Sequence, residues 1–343
     1  MMITLPLSAA IVCLAFVSSL LMTAIVHRYA LRALLDVPNE RSSHVRPTPR
    51  GGGLAIGLVF LSAVGLLATF DILPASLSAA LIGGGLLVAG VGWLDDHRPV
   101  AARWRILVHF AAALWAVFCL GGFPSISLGQ ITLPLGWLGH VLAVIGVVWL
   151  INLYNFMDGI DGLAAGEAVT VALAAAGLLW LSGAVELALV AAVFAAACGG
   201  FLWWNWQPAK IFMGDAGSGL LGYCFAVLAL ASEKAAAVPV VIWMILLAVF
   251  VLDATFTLLS RVIGGEKWYN AHRMHAYQRL TQLGFSHARV TSGVLLVNLL
   301  LLAPIAWFLV RQPIWTGLIV PGVVLLGWFV WKAVQHRFGK TQS

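Results

Sequence analysis

Apolar runs of membrane-crossing length recur along the whole 343-residue chain, separated by short polar stretches. An α-helix rises 1.5 Å per residue, so about 20 apolar residues cross a hydrocarbon core about 30 Å thick. The pattern predicts eleven such helices, over residues 8–26, 51–70, 74–93, 106–123, 137–154, 163–182, 185–205, 216–232, 236–258, 290–310 and 313–331. The expected fold class is therefore an all-α polytopic membrane protein. Residues 1–343 read as one integral-membrane domain without an obvious internal repeat.

Composition strengthens this picture. The chain is 62% hydrophobic and 9% charged, whereas a soluble domain carries about 25% charged residues. The four cysteines, Cys13, Cys119, Cys198 and Cys224, stand alone in apolar segments, as small buried residues do. Residues 1–7 contain no Lys or Arg, which argues for an uncleaved first helix rather than a signal peptide.

Charge sets the expected sidedness. With eleven helices, seventeen of the nineteen Lys and Arg residues fall on one side, in segments 27–50, 94–105, 206–215 and 259–289 and in the C-terminal tail. Only Lys234 and Arg311 fall on the other. Basic connections stay in the cytoplasm, so the N-terminus is expected outside and the C-terminus inside. Most acids follow the same side, including Asp95, Asp96, Asp158, Asp161 and Asp215, while Glu167 and Asp253 lie within predicted spans. A conduit would distribute polar groups through the bilayer. One-sided polarity fits an active site at the cytoplasmic face.

Five polar segments, 27–50, 94–105, 155–162, 206–215 and 259–289, carry the candidate chemistry. In GWLDDHRP, Asp95 and Asp96 end the third span, where two acids oppose the helix dipole and are suited to a hard cation such as Mg²⁺. In NFMDGIDG, Asp158 and Asp161 share a face with Asn155 if the segment is helical, and Asp161 is a candidate cap for the sixth span. The spacing does not match a calcium-binding EF-hand. In QPAKIFMGDAGSGLLGY, Asp215 opens a Gly-rich helix whose first N–H groups suit a phosphate, and Phe212 suits stacking on a flat base. In YNAHRMHAYQRL, His272, Arg273 and His275 suit phosphate oxygens. No thiolate or third histidine supports zinc there. In RSSHVRPTPRGGG, Arg46 and Arg50 suit an anionic headgroup or nucleotide phosphate. Each segment also has a plainer reading, as a capped turn or a basic membrane anchor. Together they ask for Mg²⁺-dependent chemistry on a phosphate at the membrane surface.

From RSSHVRPTPRGGG through LDD, NFMDGIDGLAAG and FMGDAGSG to HRMHAYQRL, nearly the whole chain resembles the polyprenyl-phosphate N-acetylhexosamine-1-phosphate transferases. The resemblance implies transfer of a sugar-1-phosphate from a UDP-amino sugar to undecaprenyl phosphate with release of UMP. It further implies Mg²⁺, with Mn²⁺ as a substitute, a bacterial inner-membrane location, a possible homodimer and no nucleic-acid partner. By motif, Asp95 and Asp96 match the paired catalytic aspartates. Asp215 and Asn155 match metal-holding positions, with Asp158 beside them. Asp161 and Phe212 match the uracil contacts, Arg105 a basic residue near the phosphates, and His272, Arg273 and His275 the last loop. That loop lacks the consecutive histidines of the muramyl-pentapeptide branch. It looks more like the branch that initiates O-antigen and other surface polysaccharides, whose donors are UDP-N-acetylglucosamine or 6-deoxy relatives. The rival readings are a secondary transporter of an anionic solute, in which Glu167 would be essential, and a polyprenyl-pyrophosphate phosphatase, which needs no uridine pocket.

Overall fold

The computed structural model describes residues 5–36, 47–266 and 272–342. The chain opens with α1 (Leu5–Ala33). A short antiparallel pair, β1 (Leu35–Asp36) with β2 (Thr48–Pro49), then leads into α2 (Gly53–Thr69). Next come α3 (Ala75–Ala79) and α4 (Gly85–His97), joined through a π-helical turn at Ala80–Gly84 into one span. They are followed by α5 (Ala102–Cys119), the hairpin of β3 (Ser125–Leu128) and β4 (Ile131–Pro134), and α6 (Trp137–Met157). Then come α7 (Leu163–Leu181), α8 (Val185–Asn205) and α9 (Asp215–Lys234). A broken pair, α10 (Val240–Leu246) and α11 (Ala248–Ile263), precedes the short α12 (Ala276–Gln282). The last elements are α13 (His287–Val297), a π turn at Asn298–Leu302, α14 (Ala303–Arg311) and α15 (Thr316–Gln342).

Each of the eleven predicted segments is helical. Nine helices among the described residues are long and apolar enough to cross a membrane, and the bent α10–α11 pair makes a tenth if counted as one span. The shortest of the eleven is α2, whose 17 residues extend about 26 Å, just under the thickness of a bilayer core. The chain is thus an all-α multi-pass membrane protein. The straight span predicted over residues 236–258 is corrected: α10 and α11 meet at 84°. The sequence across the break, VIWMILLAVFVL, has no Gly or Pro to announce it. Its consequence is that Asp253 of α11 reaches α12, where its carboxylate accepts from Ala276 N at 2.8 Å and Tyr277 N at 3.3 Å.

The bundle is organised around α9, in which every residue from Ala216 to Ser232 is buried. Lipid gives helices no hydrophobic reason to associate, so close packing over small residues must hold them together. Three glycine contacts do this. A Cβ on Gly53 of α2 would stand 2.1 Å from Gly217 Cα, and one on Gly92 of α4 would stand 2.4 Å from Asp215 O. One on Gly222 would stand 2.3 Å from Leu150 O of α6. The glycines of DAGSGLLGY are therefore packing surfaces.

Glu167, one of the two acids expected inside the bilayer, is fully buried and pairs with Asn298 of the second π turn, whose Nδ2 donates to Oε2 at 2.5 Å. This ties α7 to the α13–α14 span and gives the in-span acid a helix-to-helix role.

Replacing Gly92 by leucine forces α4 off α9. We expect a loss of about 2–3 kcal/mol, read as a lower Tm of the detergent-solubilised protein, together with loss of any activity that needs Asp95 and Asp215 side by side.

Candidate active site

The C-terminal end of α4 meets the N-terminal end of α9. Gly214 has φ +78°, which only glycine adopts freely, and a Cβ there would lie 2.6 Å from Asp96 Oδ2. This close approach lets the buried Asp96 carboxylate accept from Asp215 N at 3.0 Å and Ala216 N at 3.3 Å. A carboxylate at a helix start satisfies orphan N–H groups and favours the helix dipole. The cost of an acid at the end of α4 is thereby offset by the start of α9. Arg50 completes the junction: its Nε and Nη2 donate to Asp96 O at 3.1 and 2.7 Å, satisfying a terminal carbonyl of α4. The expectation that the first N–H groups of α9 face a phosphate is thus corrected, because Asp96 already occupies them.

Asp95 points elsewhere. Its Oδ1 accepts from Val100 N at 2.5 Å, and its Oδ2 lies 2.6 Å from Arg105 Nη1. The same guanidinium nitrogen lies 2.8 Å from Asp215 Oδ2. Two carboxylates from different helices therefore converge on one cationic atom. Asn155, in the last turn of α6, donates from Nδ2 to Asp215 Oδ1 at 2.9 Å and to Ser218 Oγ at 3.0 Å.

After Met157 the helix stops, so the helical face predicted for Asp158 and Asp161 is not formed. Asp158 turns toward the acidic cluster. Burial, and then the charges of Asp215, Asp96 and Asp161, push its carboxyl well above the usual carboxylate range. Asp161 does not cap α7, whose N-cap is Gly162. Its Oδ2 instead accepts from Ala209 N at 3.1 Å, and its Oδ1 lies 3.3 Å from His287 Nδ1. Thr291 donates to its carbonyl at 3.0 Å. Asp161 thus fastens the segment before Phe212 to the start of α13. Phe212 itself is half-buried, and its backbone zips onto the segment holding Arg50: Phe212 N donates to Pro49 O at 2.8 Å and Gly52 N to Phe212 O at 2.9 Å. Arg46 lies outside the described residues.

The last polar loop folds over the end of α6. His275 is buried, with ring centroids 4.9 Å from His272, 5.7 Å from Tyr277 and 6.5 Å from Phe156. Tyr277 donates from its hydroxyl to Phe156 O at 3.0 Å. His272 is half-buried, and burial, then His275 and Arg261, pull its pKa down to about 4. It is therefore a neutral ring at physiological pH. Arg273 is half-buried in the same loop, where its carbonyl accepts from Gln282 Nε2 at 3.1 Å.

The structure thus gathers Asp95, Asp96, Arg105, Asn155, Asp158 and Asp215 into one cluster. Arg50, Phe212 and Asp161 border it on one side, and His272 to Tyr277 on the other. Residue types and spacing did not single out Ser218, Asn205, Tyr277 or His287. Asn205 accepts from Gly162 N and donates to Ile211 O, both at 3.0 Å, which fixes one loop against another. Each stands alone in its segment, and only the fold gives it a partner.

Among the described residues no group of three or more His, Cys, Asp or Glu forms a ready metal cage. The donors nevertheless fit a hard cation that keeps water and phosphate among its ligands. Asp95 and Asp215 already share one positive atom, Asn155 holds Asp215 Oδ1 in place through its amide NH2, and Asp158 sits among the charges of Asp215, Asp96 and Asp161.

A family model described as Glycosyl transferase family 4 matches residues 78–233. A probable undecaprenyl-phosphate N-acetylglucosaminyl 1-phosphate transferase of Bacillus subtilis is 31% identical over 322 residues, covering 91% of this chain and 88% of the relative. A decaprenyl-phosphate N-acetylglucosaminephosphotransferase of Mycobacterium tuberculosis is 33% identical over 292 residues, covering 74% of this chain and 70% of the relative. A phospho-N-acetylmuramoyl-pentapeptide-transferase of a Synechococcus species is 34% identical over 247 residues, covering 68% and 70%.

The two adjacent aspartates should separate in a stability assay. Asp96→Ala uncaps α9 and is expected to cost about 2 kcal/mol, seen as a lower Tm. Asp95→Asn keeps an acceptor for Val100 and loses a partly buried ion pair, so it should cost about 1 kcal/mol or less. His272 predicts an acid limb. Folding favours the neutral ring, so the unfolded state binds the extra proton below its value of 6.5, and the stability present above that pH is lost as pH falls toward about 4. His272→Asn should flatten that limb in Tm measured against pH.

Proposed function

This chain belongs to glycosyl transferase family 4, and we propose that it transfers a sugar-1-phosphate from a UDP-N-acetylhexosamine to undecaprenyl phosphate, releasing UMP. Two of the relatives named above carry a polyprenyl phosphate in their names and the third is a phospho-sugar transferase, which supports a membrane transferase of this general reaction. The observation that carries the proposal is the convergence of Asp95 and Asp215 on a single positive atom beside Asp158, at the junction of α4, α6 and α9.

In the proposed reaction, an oxygen of the lipid phosphate attacks the sugar-bearing phosphorus of the donor. A new P–O bond forms, the bond to the bridging oxygen breaks, and that oxygen leaves with its electron pair as part of UMP. Asp215, Asn155 and Asp158 would hold Mg²⁺, with Mn²⁺ as a substitute. The ion would supply charge neutralisation on the pyrophosphate. Asp95 is the aspartate with its carboxylate on the cluster side, and it accepts the proton of the acceptor phosphate as that oxygen attacks. Asp96 acts from beneath, by fixing the backbone N–H of Asp215 and hence the position of that carboxylate. Arg105 bridges Asp95 and Asp215 and is placed to donate charge-assisted hydrogen bonds to incoming phosphate oxygens. Phe212 stacks on the uracil. Asp161 holds the segment that carries Phe212 and presents its remaining acceptor capacity to the base. His272, Arg273 and His275 close over the sugar and pyrophosphate. The lipid tail stays in the bilayer, so acceptor and donor meet in a plane, which supplies proximity.

For the donor we propose UDP-N-acetylglucosamine or a 6-deoxy relative. Two of the relatives named above carry N-acetylglucosamine in their names, and HRMH lacks a run of histidines. The reaction would start a surface polysaccharide such as O-antigen, on the cytoplasmic face of a bacterial inner membrane. The transporter reading loses its main support, because Glu167 and Asp253 are engaged in holding helices to one another.

UMP release by the purified protein, with Mg²⁺, undecaprenyl phosphate and each candidate UDP-sugar, tests this directly. Asp215→Ala should lower the rate more than about 100-fold. Phe212→Ala should raise KM for the UDP-sugar about tenfold with little change in kcat, as expected for loss of base stacking. Phosphate release from a lipid pyrophosphate, unaffected by Phe212→Ala, would support the phosphatase instead.

A further inference from the structure

One turn deeper into the bundle than the cluster, the seam between α5 and α6 carries two polar residues that the site above does not use. His109 follows Arg105 by four residues on α5, and Asn152 precedes Asn155 by three on α6. Each helix therefore presents a polar pair along the same face, stepping from the bundle end toward its middle. Polar side chains at this depth are costly in lipid and mark function more often than packing.

The hydrogen bonds fix the chemistry of this pair. Asn152 Nδ2 donates to Val148 O at 2.7 Å and lies 3.3 Å from His109 Nδ1. A carbonyl only accepts, so the amide NH2 of Asn152 must face the seam, and its second N–H points at His109 Nδ1. Nδ1 is then an acceptor, and the ring proton of a neutral imidazole sits on Nε2. Among the described residues Nε2–H has no protein partner. It is a prepared donor, one helical turn below the Arg105 guanidinium. The helix surface beside it is apolar and exposed: Phe110 is 39% exposed and Leu107 55%. A ligand reaching this donor arrives along an apolar surface, carried on an apolar chain.

We infer that His109 is a binding residue for the lipid acceptor, its Nε2–H donating to a non-bridging oxygen of the polyprenyl phosphate, with Asn152 as the positioning residue that sets the tautomer. This rests on the transferase reading and assigns part of its acceptor site. Arg105 and His109 then form two donors of one anion seat, and the phosphate is held at the depth where its chain enters the bilayer.

Two amide substitutions separate binding from packing. His109→Asn places its amide near the Nδ1 position, which keeps a contact to Asn152 and loses the outward donor. His109→Gln places an N–H near the Nε2 position and keeps the donor. KM for undecaprenyl phosphate and for the UDP-sugar would be measured by UMP release. Retention of undecaprenyl phosphate by the purified protein would be followed by native mass spectrometry. We expect His109→Asn to raise the lipid KM about tenfold and lower lipid retention, with the UDP-sugar KM within about twofold of wild type. His109→Gln should restore most of both. Asn152→Leu should give a smaller rise that does not add to that of His109→Asn.

The reverse order, with Asn close to wild type and Gln impaired and Tm following the same order, would reduce His109 to a tie between α5 and α6 and overturn the assignment. A rise confined to the UDP-sugar KM would also overturn it, by moving the residue to the donor side. So would phosphatidylglycerol retention that falls as steeply as that of undecaprenyl phosphate, since the site would then seat any anionic headgroup. A wild-type protein that releases no UMP with any donor would refute the transferase reading alone, and lipid retention would still decide the role of His109.

Discussion

The contact on which the rest of the site depends is the carboxylate of Asp96 on the first N–H groups of α9. It joins the end of one helix to the start of another by the one arrangement that removes a penalty from each. An acid is unwelcome at the C-terminus of α4 and welcome at the N-terminus of α9. Gly92 and Gly214 allow the approach, and Arg50 takes up the carbonyl left over on α4. With the backbone of Asp215 fixed by this bond, its side chain is held facing Asp95 and Asn155. A loop in place of this junction would let the three groups drift, and a site of this kind loses its chemistry with displacements of about 1 Å.

The paired aspartates consequently divide their labour. Asp96 is buried and saturated by backbone donors, whereas Asp95 keeps an oxygen on the cluster, shared with Arg105. Asp158 is crowded by the charges of Asp215, Asp96 and Asp161, which are met by the guanidiniums of Arg105 and Arg50. The same economy recurs in the last loop. Asp253 caps α12, α12 presents Tyr277, and Tyr277 clamps the end of α6 from which Asn155 and Asp158 emerge. The 84° break between α10 and α11 gives Asp253 that reach. Buried polar groups such as Asp96, Asp253 and Glu167 hold helices to one another and thereby position their neighbours.

Much of this was legible in the sequence. Membrane-length apolar runs separated by short polar segments give the helices directly, because a hydrocarbon core accepts little else and requires every backbone group to be paired within its own segment. The positions of Asp95, Asp158, Asp161 and Asp215 at the ends of such runs also mark the polar end of the bundle, because charge is excluded from the middle. What remained hidden depends on partners distant in sequence. Asp95 and Asp96 are indistinguishable as letters, and only the approach of α9, about 120 residues later, separates their roles. Asp161 looked like a cap for its own helix and instead secures another loop, since a carboxylate takes whichever N–H the fold brings near. His287, Tyr277 and Asn205 carried no local signal because each bonds to a residue at least six positions away.

The sequence by itself thus determined the class of fold, the number of apolar segments and the end of the bundle where chemistry is possible, because desolvation acts on each segment separately. The tertiary structure alone decided which helix breaks, which glycines pack against which backbones, and which carboxylate is spent on capping while its neighbour faces Arg105. Those outcomes depend on contacts between segments, and hydrogen-bond distances of about 3 Å are set only when the segments have docked.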